Sequence, residues 1–421
     1  MALGFDFLTK EILVKIGVKF FGIARTFYLL FFFGISSVLD DFYFANSIVG
    51  LILLINILFE TTFSRRIFEN KNNFQFLKRF RKNLNKLSIC LTGVVLIFSV
   101  FFIEDKSIIY HVVILALWSI VNINSYYFLL IFRFLAKNKE ILRYYFLVAF
   151  LGLLFLFVII YADVFSKENL FIAISLSILL SECVTFLIVF SKYNYKMIRI
   201  KQQSGFKIDI SKDMIEIFKV LVILILVSLI DVTDKTFLSY LGEGKITYYT
   251  YGLYAPLTIR QALDIKSNFF AQINQLNTTK EINKVFFVTL KRIMFFFVIA
   301  AVTLVILFES LEKIIIVDFE LVSKEGYDII RGIIYIGVII TPYYMIWDLF
   351  YRFYYRTDLV NKLLLLTLAG FMINLILNYS LSVLFGLDIY GILVSTLLVF
   401  ILYNTISYYV FFRNPNLKIS K

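Results

Sequence analysis

Apolar runs of about 20 residues recur along the whole chain, separated by short polar segments. An α-helix needs about 20 apolar residues to cross the hydrocarbon core of a bilayer. Lipid cannot hydrogen-bond an open strand edge, so spans this apolar must be helices. The pattern therefore predicts an all-α polytopic membrane protein with about twelve transmembrane helices. The predicted spans are 11–34, 42–63, 87–104, 108–132, 143–163, 169–191, 214–241, 246–275, 293–311, 326–351, 363–385 and 388–412.

Composition supports the membrane class and argues against several kinds of chemistry. The 421 residues are 61% hydrophobic and 17% charged, whereas soluble domains carry about 25% charged residues. One histidine and two cysteines offer neither a nucleophilic triad nor zinc-ligand spacing. No GxxxxGK[ST] phosphate loop occurs either. We expect no enzyme activity, no metal and no cofactor.

The distribution of Lys and Arg predicts the orientation in the membrane. Thirty-one of the 42 Lys and Arg residues fall in the two termini and the alternate loops. The opposite loops hold five: Lys106, Lys167, Lys245, Lys313 and Lys324. Cytoplasmic segments carry the excess of basic residues, so both termini are predicted to be cytoplasmic. The net charge of +13 then reflects topology and attraction to anionic lipids, and no nucleic-acid partner is expected.

Charged residues inside the spans are the candidate functional positions. Arg25 lies in the first span and Glu60 in the second, with Asp40 and Asp41 in the turn between these spans. A charge at such depth costs roughly 2.5–3.5 kcal/mol unless it faces a partner or water. Two interpretations follow: Arg25 and Glu60 line a cavity that is the working site, or they form a buried ion pair that locks two helices.

The seventh span carries Asp231, Asp234 and Lys235, which share one helix face. Asp231 and Lys235 can pair at i, i+4, which leaves Asp234 beside them. The group is either a self-neutralised structural pair or a cation and acids that face a cavity.

The eighth span is the most polar, with Arg260 and Asp264 on one face and Lys266 nearby. Such a helix must face protein or water. Further buried polar groups are predicted in spans four, six and eleven, with the asparagines expected to form interhelical hydrogen bonds. They are Asn122, Asn124, Glu182, Asn374 and Asn378.

The two halves of the chain resemble each other. Arg25-Thr26-Phe27 precedes Gly34, and Lys235-Thr236-Phe237 precedes Gly242, at an offset of half the chain. With six spans per half, the halves run parallel about an axis along the membrane normal. The predicted domains are an N-terminal six-helix lobe at 1–191, a cytoplasmic linker at 192–213 and a C-terminal six-helix lobe at 214–421.

Three sets of motifs resemble the MurJ-type (MviN) lipid II flippases and the Wzx-type oligosaccharide repeat-unit flippases of the MOP superfamily. They are Gly22-x-x-Arg25 with Phe33-Gly34-x-Ser36, Asp41-Phe42-x-x-Ala45 and Glu60; the turn Leu241-Gly242-Glu243-Gly244; and the segment Asn374 to Ser395. The resemblance covers the whole chain. It implies two pseudo-symmetric six-helix lobes around a central cavity, and transport by alternating access.

The resemblance also implies a substrate, namely a polyprenyl-pyrophosphate-linked oligosaccharide of the O-antigen or capsule type, flipped from the inner to the outer leaflet. Arg25, Lys235, Arg260 and Lys266 would bind its anionic head. Gating or coupling would fall to the acids Asp40, Asp41, Glu60, Asp231, Asp234 and Asp264.

Three alternative functions stay open. They are a lipid II flippase, a multidrug or cation antiporter, and a membrane glycosyltransferase or polymerase. Lipid II flippases carry two further spans beyond twelve, which favours the repeat-unit flippases. The expected partners are the lipid-linked glycan and membrane lipids, with other polysaccharide-assembly membrane proteins as candidates. The expected location is the bacterial cytoplasmic membrane.

Overall fold

A computed structural model describes residues 18, 21–22, 24–58, 73–135, 137–162, 170–199, 214–262, 279–310, 312, 322–357 and 359–412. Within these residues the chain is helical and contains no β-strand. The predicted all-α fold is confirmed.

Twelve helices follow one another in the described residues. They are α1 (Ala24–Phe33), α2 (Ser37–Leu58), α3 (Phe74–Phe102), α4 (Lys106–Phe134), α5 (Asn138–Tyr161), α6 (Ile172–Arg199), α7 (Met214–Leu241), α8 (Lys245–Ala262), α9 (Thr279–Ser310), α10 (Lys324–Arg356), α11 (Val360–Asn378) and α12 (Asp388–Phe412). A π-helical segment, Tyr379–Leu384, continues α11.

Nine of these helices are long and apolar enough to cross a membrane. The other three are α1, which is short in its described part, α7, which carries Asp231, Asp234 and Lys235, and α8, which carries Arg260. The chain is thus a multi-pass membrane protein.

Some helices extend well beyond the predicted apolar spans. Helix α3 begins at Phe74, thirteen residues before the predicted start of its span, and includes the basic run 78–86. The side chain of Asn73 accepts a hydrogen bond from the Phe76 amide at 3.1 Å and so caps the helix. A helix satisfies its own backbone groups, so it can continue past the hydrocarbon into the polar interface.

The chain divides into two compact units. The first comprises Met1–Phe33 and Asp41–Leu224, and the second comprises Gly34–Asp40 and Ile225–Lys421. The first turn of α2 therefore belongs to the second unit, and the rest of the helix belongs to the first. Residues 200–213 of the predicted linker lie outside the described residues, and the predicted domain boundaries stay a prediction.

Each unit is built around one central helix with an aromatic core. In the first unit α6 packs against α3, α4 and α5, and the rings of Phe128 and Phe190 stack at 5.3 Å. In the second unit α10 packs against α8, α9, α11 and α12, and Trp347 stacks on Tyr403 at 4.5 Å. Aromatic pairs of this kind each add about 0.5–1.5 kcal/mol beyond their buried area.

Candidate functional site

Helix α7 carries the ion pair that its spacing predicts. Lys235 Nζ lies 3.1 Å from Asp231 Oδ2, one turn earlier on the helix. The lysine side chain is 9% exposed, whereas the Asp231 side chain is 53% exposed. The pair therefore bridges from the interior of the second unit toward its surface.

Asp234 lies apart from this ion pair, in a pocket of neutral hydrogen-bond donors. Its carboxylate accepts hydrogen bonds from Asn378 Nδ2 at 2.7 Å, from Thr396 Oγ1 at 3.0 Å and from the Tyr249 hydroxyl at 3.2 Å. The side chain is 2% exposed. Three other helices, α8, α11 and α12, thus converge on one buried acid.

The asparagines of α11 support this pocket. Asn378 also donates to Asn374 Oδ1 at 3.2 Å, and Asn374 donates to Ser395 Oγ at 3.3 Å. The predicted interhelical hydrogen bonds of these two asparagines are present. Asn378 is the last residue before the π-helical segment, and such segments occur frequently at functional sites.

Arg260 of α8 forms a two-pronged ion pair with Asp348 of α10. Its Nε and Nη2 each donate to a different carboxylate oxygen of Asp348 at 2.9 Å. The guanidinium also lies over the ring of Tyr344, 4.7 Å from its centroid. Sequence reasoning missed this partner because 88 residues separate it from Arg260.

Tyr344 links these groups into one cluster, which we call the Tyr344 cluster: Asp231, Asp234, Lys235, Arg260 and Asp348 around Tyr344. The tyrosine interacts electrostatically with the three acids and with Arg260. Both cations in the cluster are paired with acids, and Asp234 is the acid that remains. The cluster can exchange an internal carboxylate for another anion at Arg260, and it offers oxygen atoms to a cation at Asp234.

Asp40 stabilises the start of α8 through backbone contacts. Its carboxylate accepts hydrogen bonds from the Gly244 amide at 2.6 Å, the Thr247 amide at 2.7 Å and the Thr247 hydroxyl at 2.6 Å. In return, Glu243 accepts a hydrogen bond from the Ser37 amide at 3.1 Å, at the start of α2. Each helix N-terminus is thus capped by an acid from the other segment, which complements its positive dipole.

Glycine is required at the turn that makes this arrangement. Gly244 has φ of 78°, and a Cβ built on it would lie 2.7 Å from Ile35 Cγ2. The resemblance in this turn therefore has a physical basis: only glycine combines this backbone conformation with so close an approach.

The remaining predicted site residues are placed as follows. Arg25 of α1 is half-buried in the first unit, and its Nη2 donates to the backbone carbonyl of Ile174 at 3.4 Å. Asp41 is also half-buried there. Glu60, Asp264 and Lys266 lie outside the described residues.

Comparison with solved structures identifies the fold. The lipid II flippase MurJ, in an inward closed conformation, matches with a TM-score of 0.66 and 16% identity over 97% of this chain and 87% of that chain. A MOP-superfamily transporter from Pyrococcus furiosus matches with a TM-score of 0.66 and 14% identity over 96% and 95% of the chains. The chain has the MOP-superfamily transporter fold.

The same fold includes the multidrug transporters of the superfamily. A mutant of the MATE transporter VcmN of Vibrio cholerae matches with a TM-score of 0.66 and 12% identity over 97% of this chain and 95% of that chain. No family model and no curated protein sequence matches the chain. The predicted resemblance to the MOP fold is confirmed. Because a lipid II flippase and multidrug transporters share this fold, the substrate depends on the residues that the fold brings together.

Proposed function

We propose that this chain is a MOP-type flippase. Its substrate is a polyprenyl-pyrophosphate-linked oligosaccharide of the O-antigen or capsule repeat-unit type. It moves this lipid from the inner to the outer leaflet by alternating access, in the bacterial cytoplasmic membrane and with both termini in the cytoplasm. Proteins that assemble the polysaccharide are candidate partners.

The observation that carries this proposal is the geometry at Arg260. Its planar fork already binds one oxyanion, the Asp348 carboxylate, through two hydrogen bonds of 2.9 Å. A phosphate oxygen pair presents the same spacing to a guanidinium as a carboxylate does. Asp348 then occupies the anion site in the absence of substrate, and a pyrophosphate head displaces it.

The charge balance of the Tyr344 cluster supports a mechanism in which the pyrophosphate displaces a carboxylate from its cation. Lys235 and Arg260 are each neutralised by one acid, so a pyrophosphate binds only if an acid moves away or takes up a proton. Binding of the head is thereby coupled to rearrangement of α8 against α10. Arg25, in the first unit, is a separate candidate cation for binding an anionic head.

Lipid II is the second candidate substrate. The similarity of fold to the lipid II flippase MurJ favours it, and lipid II offers the same pyrophosphate chemistry to Arg260. The two substrates differ in the sugar and in the attached peptide.

The membrane potential is the proposed driving force. A pyrophosphate head carries about two negative charges, and moving one charge through 100 mV changes its energy by roughly 2.3 kcal/mol. With the inside negative, outward movement of the head is favoured by up to about 4–5 kcal/mol per 100 mV.

The test uses proteoliposomes with a fluorescent polyprenyl-pyrophosphate sugar and a potassium diffusion potential set by valinomycin. We expect flipping without ATP, faster when the potential favours outward movement of anions. Arg260→Ala and Arg25→Ala should each reduce the rate at least tenfold, and Arg25→Lys should restore it in part.

The matched control is Arg331→Ala, which removes another paired arginine of the second unit, bound to Asp328 at 2.8 Å. Its rate should equal that of the wild type. Wild-type flipping by Arg260→Ala and Arg25→Ala would refute the anion site. Export of cationic drugs with no movement of the lipid would show a multidrug antiporter instead.

A further inference from the structure

One arginine of the first unit is held in place by neutral side chains from two other helices. Arg81 lies in α3, and its Nε donates a hydrogen bond to Asn124 Oδ1 of α4 at 2.8 Å. Its Nη1 donates to Asn194 Oδ1 of α6. The guanidinium also lies over the ring of Phe128 of α4, 4.9 Å from the centroid. We call Arg81, Asn124, Phe128 and Asn194 the Arg81 site.

The positive charge of Arg81 has no acidic partner within the described residues. Two arginines of the second unit differ in this respect, because Arg260 pairs with Asp348 and Arg331 pairs with Asp328. Arg81 is half-buried, and burial of a charge is costly unless the charge is paired. The Arg81 site therefore orients a guanidinium without neutralising it, which is what a binding site for an anion requires.

The unused donors of Arg81 are accessible to a ligand. The two asparagines occupy one N–H at Nε and one at Nη1, and a guanidinium has further N–H donors beyond these. Within the described residues no group accepts a hydrogen bond from Nη2, and this atom is not among the buried atoms that lack a partner. The outer edge of the guanidinium can thus donate to two oxygens of one ligand.

The surroundings of the Arg81 site attract anions. At this end of the first unit, in residues 73–86, 137–143 and 190–195, the described side chains include nine cations and one acid, Glu140. The cations are Lys78, Arg79, Arg81, Lys82, Lys86, Lys137, Lys139, Arg143 and Lys192. Lys137 donates to the hydroxyl of Tyr193, the residue before Asn194, so a second cation contacts the neighbouring position of α6.

We propose that the Arg81 site binds a phosphate group. A phosphate presents two oxygens at the spacing that a planar guanidinium binds, and the nearby cations attract its negative charge. Arg81 precedes the predicted apolar span, which begins at residue 87, so the site lies at the level of the lipid headgroups. The phosphate belongs either to an anionic phospholipid or to an ion in solution. Asn124, Asn194 and Phe128 are positioning residues, since they hold the guanidinium in place.

The test is microscale thermophoresis of the labelled full chain in dodecyl maltoside. The chain is titrated with dioctanoyl phosphatidylglycerol, with dioctanoyl phosphatidylcholine or with inorganic phosphate, at constant ionic strength. Phosphatidylcholine is the lipid control, because its choline neutralises its phosphate. No lipid-linked sugar is present, so the outcome is independent of the proposed substrate. We expect phosphatidylglycerol to bind about tenfold more tightly than phosphatidylcholine.

Substitutions assign this binding to the Arg81 site. Arg81→Gln removes the charge and the planar donors and should weaken binding of phosphatidylglycerol about tenfold. Arg81→Lys keeps the charge but loses the planar donors, and it should weaken binding about fivefold. The matched control is Arg143→Gln, which makes the same chemical change at an exposed arginine at the same end of the unit. It should leave the affinity close to that of the wild type.

The two phosphate probes identify the source of the group. Loss of phosphatidylglycerol binding in Arg81→Gln supports a lipid headgroup, whereas loss of inorganic phosphate binding alone supports an ion from solution. Equal losses for Arg81→Gln and Arg143→Gln would overturn the proposal, because the ligand would then respond only to overall charge. So would an Arg81→Gln chain that binds both probes as the wild type does, or a wild type that binds neither. If Arg81→Gln does not fold, as judged by size-exclusion chromatography, Arg81→Lys against Arg143→Gln decides between these results.

Discussion

Each unit of the chain buries an acid among neutral side-chain donors from several helices, Asp234 in the second unit and Glu182 in the first, but the surroundings of these two acids differ. Asp234 in the second unit accepts three hydrogen bonds, and the ion pairs of the Tyr344 cluster lie around it. Glu182 in the first unit accepts two, and its surroundings are aromatic: the ring of its donor Tyr144 packs on Phe190 at 5.4 Å. The buried acid of the second unit thus lies beside two ion pairs, whereas the two hydrogen-bond donors to Glu182 are neutral.

The first helices of the two predicted halves make the same threonine contact but differ in the partner of their cation. Thr26 bonds the carbonyl of Gly22 at 2.9 Å, and Thr236 bonds that of Val232 at 2.8 Å. The threonines of the repeated cation-Thr-Phe motif thus make the same contact four residues back. The preceding cations differ, because Arg25 reaches a backbone carbonyl and Lys235 reaches an acid. The two copies of the motif therefore share the threonine-to-backbone contact, while their cations have different partners.

The largest expected effect on stability comes from breaking the Arg260–Asp348 pair. Arg260→Ala leaves the largely buried Asp348 without this guanidinium, and such losses cost about 3–5 kcal/mol. We expect the free energy of unfolding in mixed SDS micelles to fall by this amount. The double variant Arg260→Ala with Asp348→Ala should recover most of it, because no isolated charge remains.

The double variant also separates stability from transport. It should fold well and still fail to flip the lipid, since the anion site is gone. Arg331→Ala is again the control, because its partly exposed pair should contribute about 1 kcal/mol or less. Equal losses for Arg260→Ala and Arg331→Ala would contradict the distinction between the Tyr344 cluster and the unit's other ion pairs.

The second effect concerns Asp234. Asp234→Asn replaces an acceptor-only group with an amide that turns a donor toward one of its three donors. Hydrogen bonds to a charged group are worth about 1.5–3 kcal/mol, and we expect a loss of that size by the same unfolding measurement. The flipping rate should fall more than head binding weakens.

Asp328→Asn provides the comparison for this variant, since Asp328 is partly exposed and pairs with Arg331. Its expected loss is about 1 kcal/mol or less. If Asp234→Asn is as stable and as fast as Asp328→Asn, the buried acid of the second unit takes no part in coupling.

The sequence predicted what spacing along one helix determines. The number of helices follows from the apolar runs, and the Asp231–Lys235 pair follows from its i, i+4 spacing. It did not predict the pairing of Arg260 with Asp348 or the contact of Asp40 with Thr247, which is 207 residues away. Periodicity fixes which side chains share a face, but the helix that each face meets depends on packing of the whole unit.

The smallest expected effect tests the caps that α2 and α8 exchange. Asp40→Asn keeps an acceptor for only one of the Gly244 and Thr247 amides, which bind different carboxylate oxygens, and it removes the negative charge at the start of α8. Charges at a helix N-terminus are worth about 0.3–1 kcal/mol, so the free energy of unfolding should fall by that amount. Asp40→Ala removes the acceptor as well and should cost about 0.5–2 kcal/mol. Asp41→Asn, one residue on, makes the same change outside this contact and should cost less.

If Asp40→Asn alters the flipping rate far more than stability, the carboxylate acts in gating, as the sequence predicts. If the flipping rate and the free energy of unfolding fall together, the role of Asp40 is to cap the start of α8.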